Sequence, residues 1–267
     1  MPNLLTALLD WIYPPACIAC RSLISLHDKQ PRDMLMCAKC QTLFEPIGRQ
    51  QNTDGVTTPL QNADENISID TKIVSIGICN TCGIPTENPV ERCVSCFGKT
   101  FHFTTNRAGF TYEDLMRDLL HELKFRQKKQ IATSLGKLWA LHMSTIPQDS
   151  ILVPLSLHPK KQRERGFNQA EVLAQQLSQK FNIPCVNALV RTLDTPPQSG
   201  LHPRQRAENV AGAFAVNSSK FKAGRNYVIV DDIYTTGASL NECAKVLTDA
   251  GAKSVNCLTL SIVEKKR

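Results

Sequence analysis

The chain has 267 residues, of which 42% are hydrophobic, and its 31 lysines and arginines against 24 acids give a formal net charge of +7. That length and apolar content exclude a disordered chain and suffice for one large core or two modest ones. The charge points to anionic partners such as phosphate esters or nucleic acid, or to a lysine-rich soluble surface. No run of about 18 apolar residues suggests a membrane span.

The first segment, MPNLLTALLDWIYPPAC, predicts a short amphipathic helix that packs on the body or touches a partner. It lacks a basic n-region, Asp10 interrupts it, Pro14 and Pro15 end it, and no small-residue cleavage site follows. It therefore does not read as a secretory signal, and the expected location is cytoplasmic. Disulfides rarely persist there, so the eleven cysteines suggest metal or redox chemistry.

Eight of those cysteines form Cys-x2-Cys pairs: Cys17 with Cys20, Cys37 with Cys40, Cys79 with Cys82, and Cys93 with Cys96. Such a knuckle sets two thiolates on one side of a tight turn, and two knuckles complete the tetrahedral shell of a structural zinc ion (Zn2+). A thioredoxin-type pair would follow a strand and open a helix, and none of these does. Two zinc sites are expected, either one per consecutive set or one joining pairs from both sets. Residues 49–71, polar and free of aromatics, separate the sets and have the composition of a mobile insertion. Residues 1–100 are thus expected to form an N-terminal helix and a double zinc ribbon, and residues 101–267 a second domain.

From residue 101 onward, strand and helix signals alternate. Strands are expected at 108–112, 151–155, 186–191, 227–231 and 254–263, and helices at 113–125, 131–143, 167–181 and 239–250. Residues 192–209 read as a long loop. Helices alternating with apolar strands imply an α/β fold with a mostly parallel sheet flanked by helices. Cys185, Cys243 and Cys257 fall in or beside these elements as small buried hydrophobes.

The sharpest signal is the segment YVIVDDIYTTGASL, residues 227–240. An apolar strand ends at Asp231 and Asp232, and the turn Thr235, Thr236, Gly237, Ala238, Ser239 opens a helix. Ligands of open α/β sheets bind at the carboxyl ends of strands. Two acids there can accept hydrogen bonds from a ribose diol. The turn offers backbone N–H groups and hydroxyls at a helix N-terminus, a cradle for a phosphate dianion, and Gly237 permits close approach. A P-loop reading fails, because Gly98-Lys99-Thr100 has Cys93 where the first glycine is required. A second basic element, Lys160, Lys161, Arg163 and Arg165, follows the strand at 151–155; alone it would read as a solvated turn.

The strand and turn resemble the type I phosphoribosyltransferase signature over roughly residues 107–263. That resemblance implies that the acids hold the ribose of phosphoribosyl diphosphate, that the turn holds its 5′-phosphate, and that magnesium (Mg2+) bridges the diphosphate and sugar oxygens. It places the diphosphate at Lys160, Lys161, Arg163 and Arg165. A mobile hood would carry Gln198, Arg204, Arg206 and Asn209.

Taken with the cysteine knuckles, the Leu123-Lys124-Phe125 helix end and Arg165-Gly166-Phe167-Asn168-Gln169, the chain resembles the ComF family of competence-associated proteins. Its insertion is longer than that family suggests. The resemblance implies a role in natural transformation: handling imported single-stranded DNA at the inner face of the cytoplasmic membrane, beside a DNA-uptake helicase or inner-membrane DNA channel. Candidate nucleic-acid contacts are Lys124, Phe125, Arg126, Lys128 and Lys129, with Phe101, Phe103 and Phe167 as possible stacking rings. The alternative is an active phosphoribosyltransferase acting on an unidentified base or amine acceptor in nucleotide metabolism.

Overall fold

A computed structural model describes residues 15–24, 34–47, 77–125, 128–196 and 202–264. The predicted N-terminal helix, the 49–71 insertion, Arg126, Gln198, and the side chains of Phe125 and Arg204 lie outside the described residues.

The N-terminal part holds little regular structure: helix α1 (Ala38–Gln41) and the two-residue strands β1 (Gly77–Ile78) and β2 (Pro85–Thr86). The rest alternates as expected. Strand β3 (Asn106–Thr111) leads into helices α2 (Asp114–Phe125) and α3 (Lys129–His142). Strand β4 (Ser150–Pro154) precedes α4 (Pro159–Arg165) and α5 (Gln169–Phe181). A side element follows, with β5 (Leu189–Arg191), α6 (Pro203–Val210) and β6 (Phe214–Val216). Strand β7 (Asn226–Tyr234), helix α7 (Ala238–Asp249) and β8 (Ser254–Ile262) complete the fold.

Four strands form the main sheet in the order β3-β8-β7-β4, and every pairing is parallel. The strands β4, β7 and β8 are largely apolar because both faces are covered, whereas the edge strand β3 alternates buried and half-buried residues. Val228, Val230, Leu258 and Leu260 face a cluster containing α2, α3, α5 and the first cysteine knuckles. Tyr227, Ile229, Val255 and Cys257 face α7, the β5–β6 pair and the second knuckles. Each fully buried leucine in these layers contributes about 1.5–3 kcal/mol. Trp139 on α3 seats against β3 because residue 109 is glycine: a Cβ there would meet the indole Cδ1 at 2.5 Å.

Two stretches are more ordered than their composition suggests. The basic turn after β4 is a helix, α4, with Pro159 in its first turn and His158 accepting from Lys160 N. The presumed loop 192–209 contains most of α6, and β6 returns antiparallel to β5. Cys243 and Cys257 are fully buried as expected, whereas Cys185 is half-buried, on a segment that bridges to Leu152.

Candidate functional site

The crevice forms where strands of unequal length separate. β4 last pairs with β7 at Pro154–Val230, while β7 continues beside β8 to Tyr234. Asp231 and Asp232 are the first residues past that parting, at the carboxyl end of the sheet. Asp231 is half-exposed and Asp232 is buried. Asp231 Oδ1 accepts from the Asp232 amide at 2.8 Å, which folds the first carboxyl back toward the second.

Lys124, at the end of α2, places its Nζ 3.1 Å from Asp232 Oδ2. This ion pair is the partner of that buried oxygen, which accepts no other hydrogen bond among the described residues. Burial alone would raise the Asp232 carboxyl, but the Lys124 charge overrides it and the carboxyl lies below its usual range. Burial and the Asp232 charge push Asp231 well above its usual range. Burial would also lower the Lys124 ammonium, but Asp232 holds it above its ordinary value.

The turn after β7 is built around Gly237, which has φ +77° and precedes the first residue of α7. A Cβ there would lie 2.6 Å from the Tyr234 hydroxyl, so only glycine lets the turn close over that buried ring. Thr236 Oγ1 accepts from Ala238 N at 3.4 Å, and Gly237 O accepts from Asn241 N at 2.8 Å. Thr235, Thr236, Ala238 and Ser239 remain half-exposed at the start of a twelve-residue helix. These features suit an anion.

Cations face this end from α4 and β5. Lys161 Nζ donates to Thr195 O at 2.8 Å, Lys160 Nζ lies 3.4 Å from Asp194 Oδ2, and Arg165 Nη1 donates to Gln169 Oε1 at 2.7 Å. Arg165 acts electrostatically on Asp232. Arg163 is exposed. Sequence reasoning left Arg191 as a strand terminus; the structure brings it into the group. It lies over the Phe214 ring, its Nη2 donates to Thr195 Oγ1, and its charge interacts with Asp231. Burial, then Arg191 and Arg165, hold the Lys161 ammonium below its ordinary range, as expected where cations gather with too few counter-charges.

Of the hood residues, Asn209 donates to Pro196 O at 3.1 Å and Arg206 is half-exposed. Gly212 N donates to Glu242 Oε1 at 2.8 Å, which ties the end of α6 to α7. The expected nucleic-acid stretch divides: Lys124 turns into the acid pair, while Lys128 Nζ lies 3.5 Å from Glu122 Oε1. Lys129 is exposed at the start of α3. Among the expected stacking rings, Phe103 is buried against Phe101, and Phe167 packs partly on the core.

The cysteines gather as Cys17, Cys20, Cys37 and Cys40 and as Cys79, Cys82, Cys93 and Cys96, with ligand atoms in each group within 4.8 Å of one another. Each consecutive set is therefore its own cluster, and the pairing across the insertion is excluded. Cys20 and Cys37 sulfurs are 3.8 Å apart, and Cys82 and Cys93 sulfurs 3.7 Å. Tetrahedral zinc with bonds of about 2.3 Å requires sulfurs about 3.8 Å apart. Amides also point at the sulfurs: Cys37 N at Cys17 Sγ (3.4 Å) and Cys93 N at Cys79 Sγ (3.2 Å). Both clusters fit zinc.

Residues 168–266 match the phosphoribosyl transferase domain. Competence protein ComFC of Bacillus subtilis is 30% identical over 240 residues, covering 85% of this chain and 94% of its own length. The chain belongs to the ComF family. Competence protein F of Haemophilus influenzae is 30% identical over 195 residues, covering 69% of this chain and 84% of that protein. The DNA utilization protein YhgH of Escherichia coli K12 is 31% identical over 196 residues, covering 68% and 85%. ComF membership and a type I phosphoribosyltransferase-like sheet were both expected from sequence, and both hold.

Proposed function

We propose that this ComF-family chain binds phosphoribosyl diphosphate in the crevice beside β7 and handles single-stranded DNA during uptake at the inner face of the cytoplasmic membrane. The observation that carries the ligand reading is the joining, at one sheet end, of Asp231 and Asp232, the Thr235–Ser239 turn, and the cations Lys161, Arg165 and Arg191. Asp231, the more exposed acid, would accept from a ribose hydroxyl, the turn amides would take the 5′-phosphate, and the cations would take the diphosphate. Lys124 already neutralises Asp232, so the acid pair is a poor bare site for a divalent ion. Magnesium would arrive on the diphosphate, where it supplies charge neutralisation.

The DNA reading is supported by the names of the relatives, competence proteins and DNA utilization proteins, and by the +7 charge. A helicase or membrane channel of the uptake machinery would be its neighbour. Among the described residues no helix is long and apolar enough to cross a membrane. Residues 1–100 would act as the metal-held module and 101–267 as the ligand-binding domain.

Calorimetric titration with phosphoribosyl diphosphate and magnesium tests the reading. Saturable binding that disappears in the Asp231→Asn, Asp232→Asn double variant is expected; a wild-type chain that gives no binding ends it. Oligonucleotide binding should weaken steeply with salt, as counterion release demands.

The hood gives a second reading some support, because Asn209 on α6 bonds to residue 196, next to the Thr195 that Lys161 and Arg191 contact. In that reading an amine or base nitrogen forms a bond to C1 of the sugar while the C1–oxygen bond breaks and diphosphate leaves with the bonding pair. Release of diphosphate in the presence of a nucleobase or ammonia would favour transfer over binding alone.

A further inference from the structure

The second cysteine cluster ends in a tip that the ribbon itself does not use. Cys82 and Cys96 are 2% exposed, but between and beyond the ligands Val94 is 91% and Phe97 80% exposed. Among the described side chains Phe97 is the one exposed phenylalanine, tyrosine or tryptophan. Its placement is fixed: Phe97 N donates to Cys93 O at 3.0 Å, Lys99 N to Cys96 O at 3.2 Å, and Arg92 Nη1 to Lys99 O at 3.0 Å. Burying a phenylalanine stabilises a fold by about 1.5–3 kcal/mol, and this one contributes little of that to its own chain.

The surroundings select an occupant. Arg92 and Lys99 lie on the same exposed knuckle as Phe97 and are tied together by the Arg92 Nη1 to Lys99 O bond, while the neighbouring Glu91 carboxylate is engaged by a 3.0 Å hydrogen bond from Asn80 Nδ2. Ser95 and Lys99 line a small cavity together with Thr235 and Thr236, so the tip adjoins the anion turn. Asn241 on α7 fixes that junction by accepting from His102 N at 2.6 Å and donating to Thr100 O at 3.3 Å. One helical turn further along α7, Lys245 is exposed. A lone exposed ring on a knuckle that also carries two cations suits a chain of alternating bases and phosphates. A protein partner would call for a broader apolar face than Val94 and Phe97 provide.

We propose that this tip is a contact for single-stranded nucleic acid, in which one base stacks on Phe97 and the adjoining phosphates pass Arg92 and Lys99 along the rim of the Thr235–Thr236 turn. The proposal rests on the strand-handling half of the function above and assigns it a site away from the 124–129 stretch.

The test is fluorescence anisotropy of a labelled oligothymidylate with the full zinc-loaded chain, supported by titration with phosphoribosyl diphosphate and by zinc content. Phe97→Ala should weaken oligonucleotide binding by about tenfold, as expected for loss of one stacked base. Phe97→Trp should keep the affinity and Phe97→Leu should not, which separates ring stacking from mere apolar filling if the alanine variant folds poorly. Lys99→Gln should lower the salt slope by about one. Zinc content should not change in any of these variants, and phosphoribosyl diphosphate binding should not change in the Phe97 variants. Wild-type affinity in both Phe97→Ala and Phe97→Leu overturns the assignment and leaves the strand-handling reading standing. A wild-type chain that binds phosphoribosyl diphosphate but no oligonucleotide removes both. Unchanged DNA affinity with loss of a dimer on gel filtration would make the tip an interface between copies.

Discussion

Asp231 and Asp232 are covalent neighbours with opposite titration behaviour, because one is buried beside an ammonium and the other beside a carboxylate. Asp232, held below the usual carboxylate range, contributes stability above its unfolded value near pH 4, and this is lost as pH falls through the lower folded value. Asp231, held above that range, subtracts stability as pH rises from its unfolded toward its folded value. At pH 7, Asp231→Asn should therefore raise the melting temperature. Asp232→Asn should cost roughly 1–3 kcal/mol, less than for a fully buried pair because the Lys124 side chain is 30% exposed. Both differences should shrink toward pH 3 in thermal melts, and shifts of equal sign would refute the assignment. The acids, the threonine turn and the cysteine spacings were legible because each is local in sequence. Lys124 was legible only as a basic residue at a helix end. Its partner lies 108 positions away, and nothing in a 124–129 window reports that one cation turns inward. Arg191 was missed for the same reason, since its neighbours come from three separate elements.

Helices α4 and α6 share an opening that sequence reasoning passed over. Each begins His-Pro, at 158–159 and 202–203, with proline in the first turn and the histidine as N-cap residue. Histidine is not among the usual cap residues, and both stretches are polar with few apolar positions, so neither periodicity nor capping flagged a helix. By contrast α5, α7 and the four strands of the main sheet were legible because burial on a sheet imposes a strong pattern on their composition, whereas the short β6 was not expected. The turn before α7 makes a prediction at this scale. Gly237→Ala should destabilise the chain by roughly 1–3 kcal/mol, through left-handed backbone strain and the clash with Tyr234. It should also weaken phosphoribosyl diphosphate binding. Adding Tyr234→Phe removes the nearest atom but not the ring carbons at 2.9 and 3.0 Å, so it should restore only part of the loss. Full recovery in a denaturant melt would mean that backbone strain contributes nothing.

Across the whole molecule, the two cysteine clusters are seated on opposite faces of one sheet and are not equivalent. The second is the more deeply built in: Cys82 O accepts from buried Asn106 Nδ2 on β3 at 2.8 Å, and the same asparagine reaches Thr259 on β8. In the first cluster Cys20 is exposed. Metal analysis should find two zinc ions per chain, falling to one in either Cys20→Ser or Cys82→Ser. The Cys82 variant should melt at the lower temperature and bind phosphoribosyl diphosphate more weakly; equal losses would contradict a supporting role for the second ribbon. The cysteine spacings pointed to metal-binding clusters but not to the face each would occupy, because that depends on how the chain wraps the sheet edges. At one such edge, Ile47 N donates to Gly109 O at 2.9 Å, and Ile47 and Ile78 both line a cavity of about 470 Å³ beside β3. Ile47 and Ile78 therefore sit at a single port on the body. Doubling the span between fixed ends costs only about 0.6 kcal/mol of closure entropy. A fluorophore or reporter module inserted in the sequence between Ile47 and Ile78 should therefore leave the sheet intact.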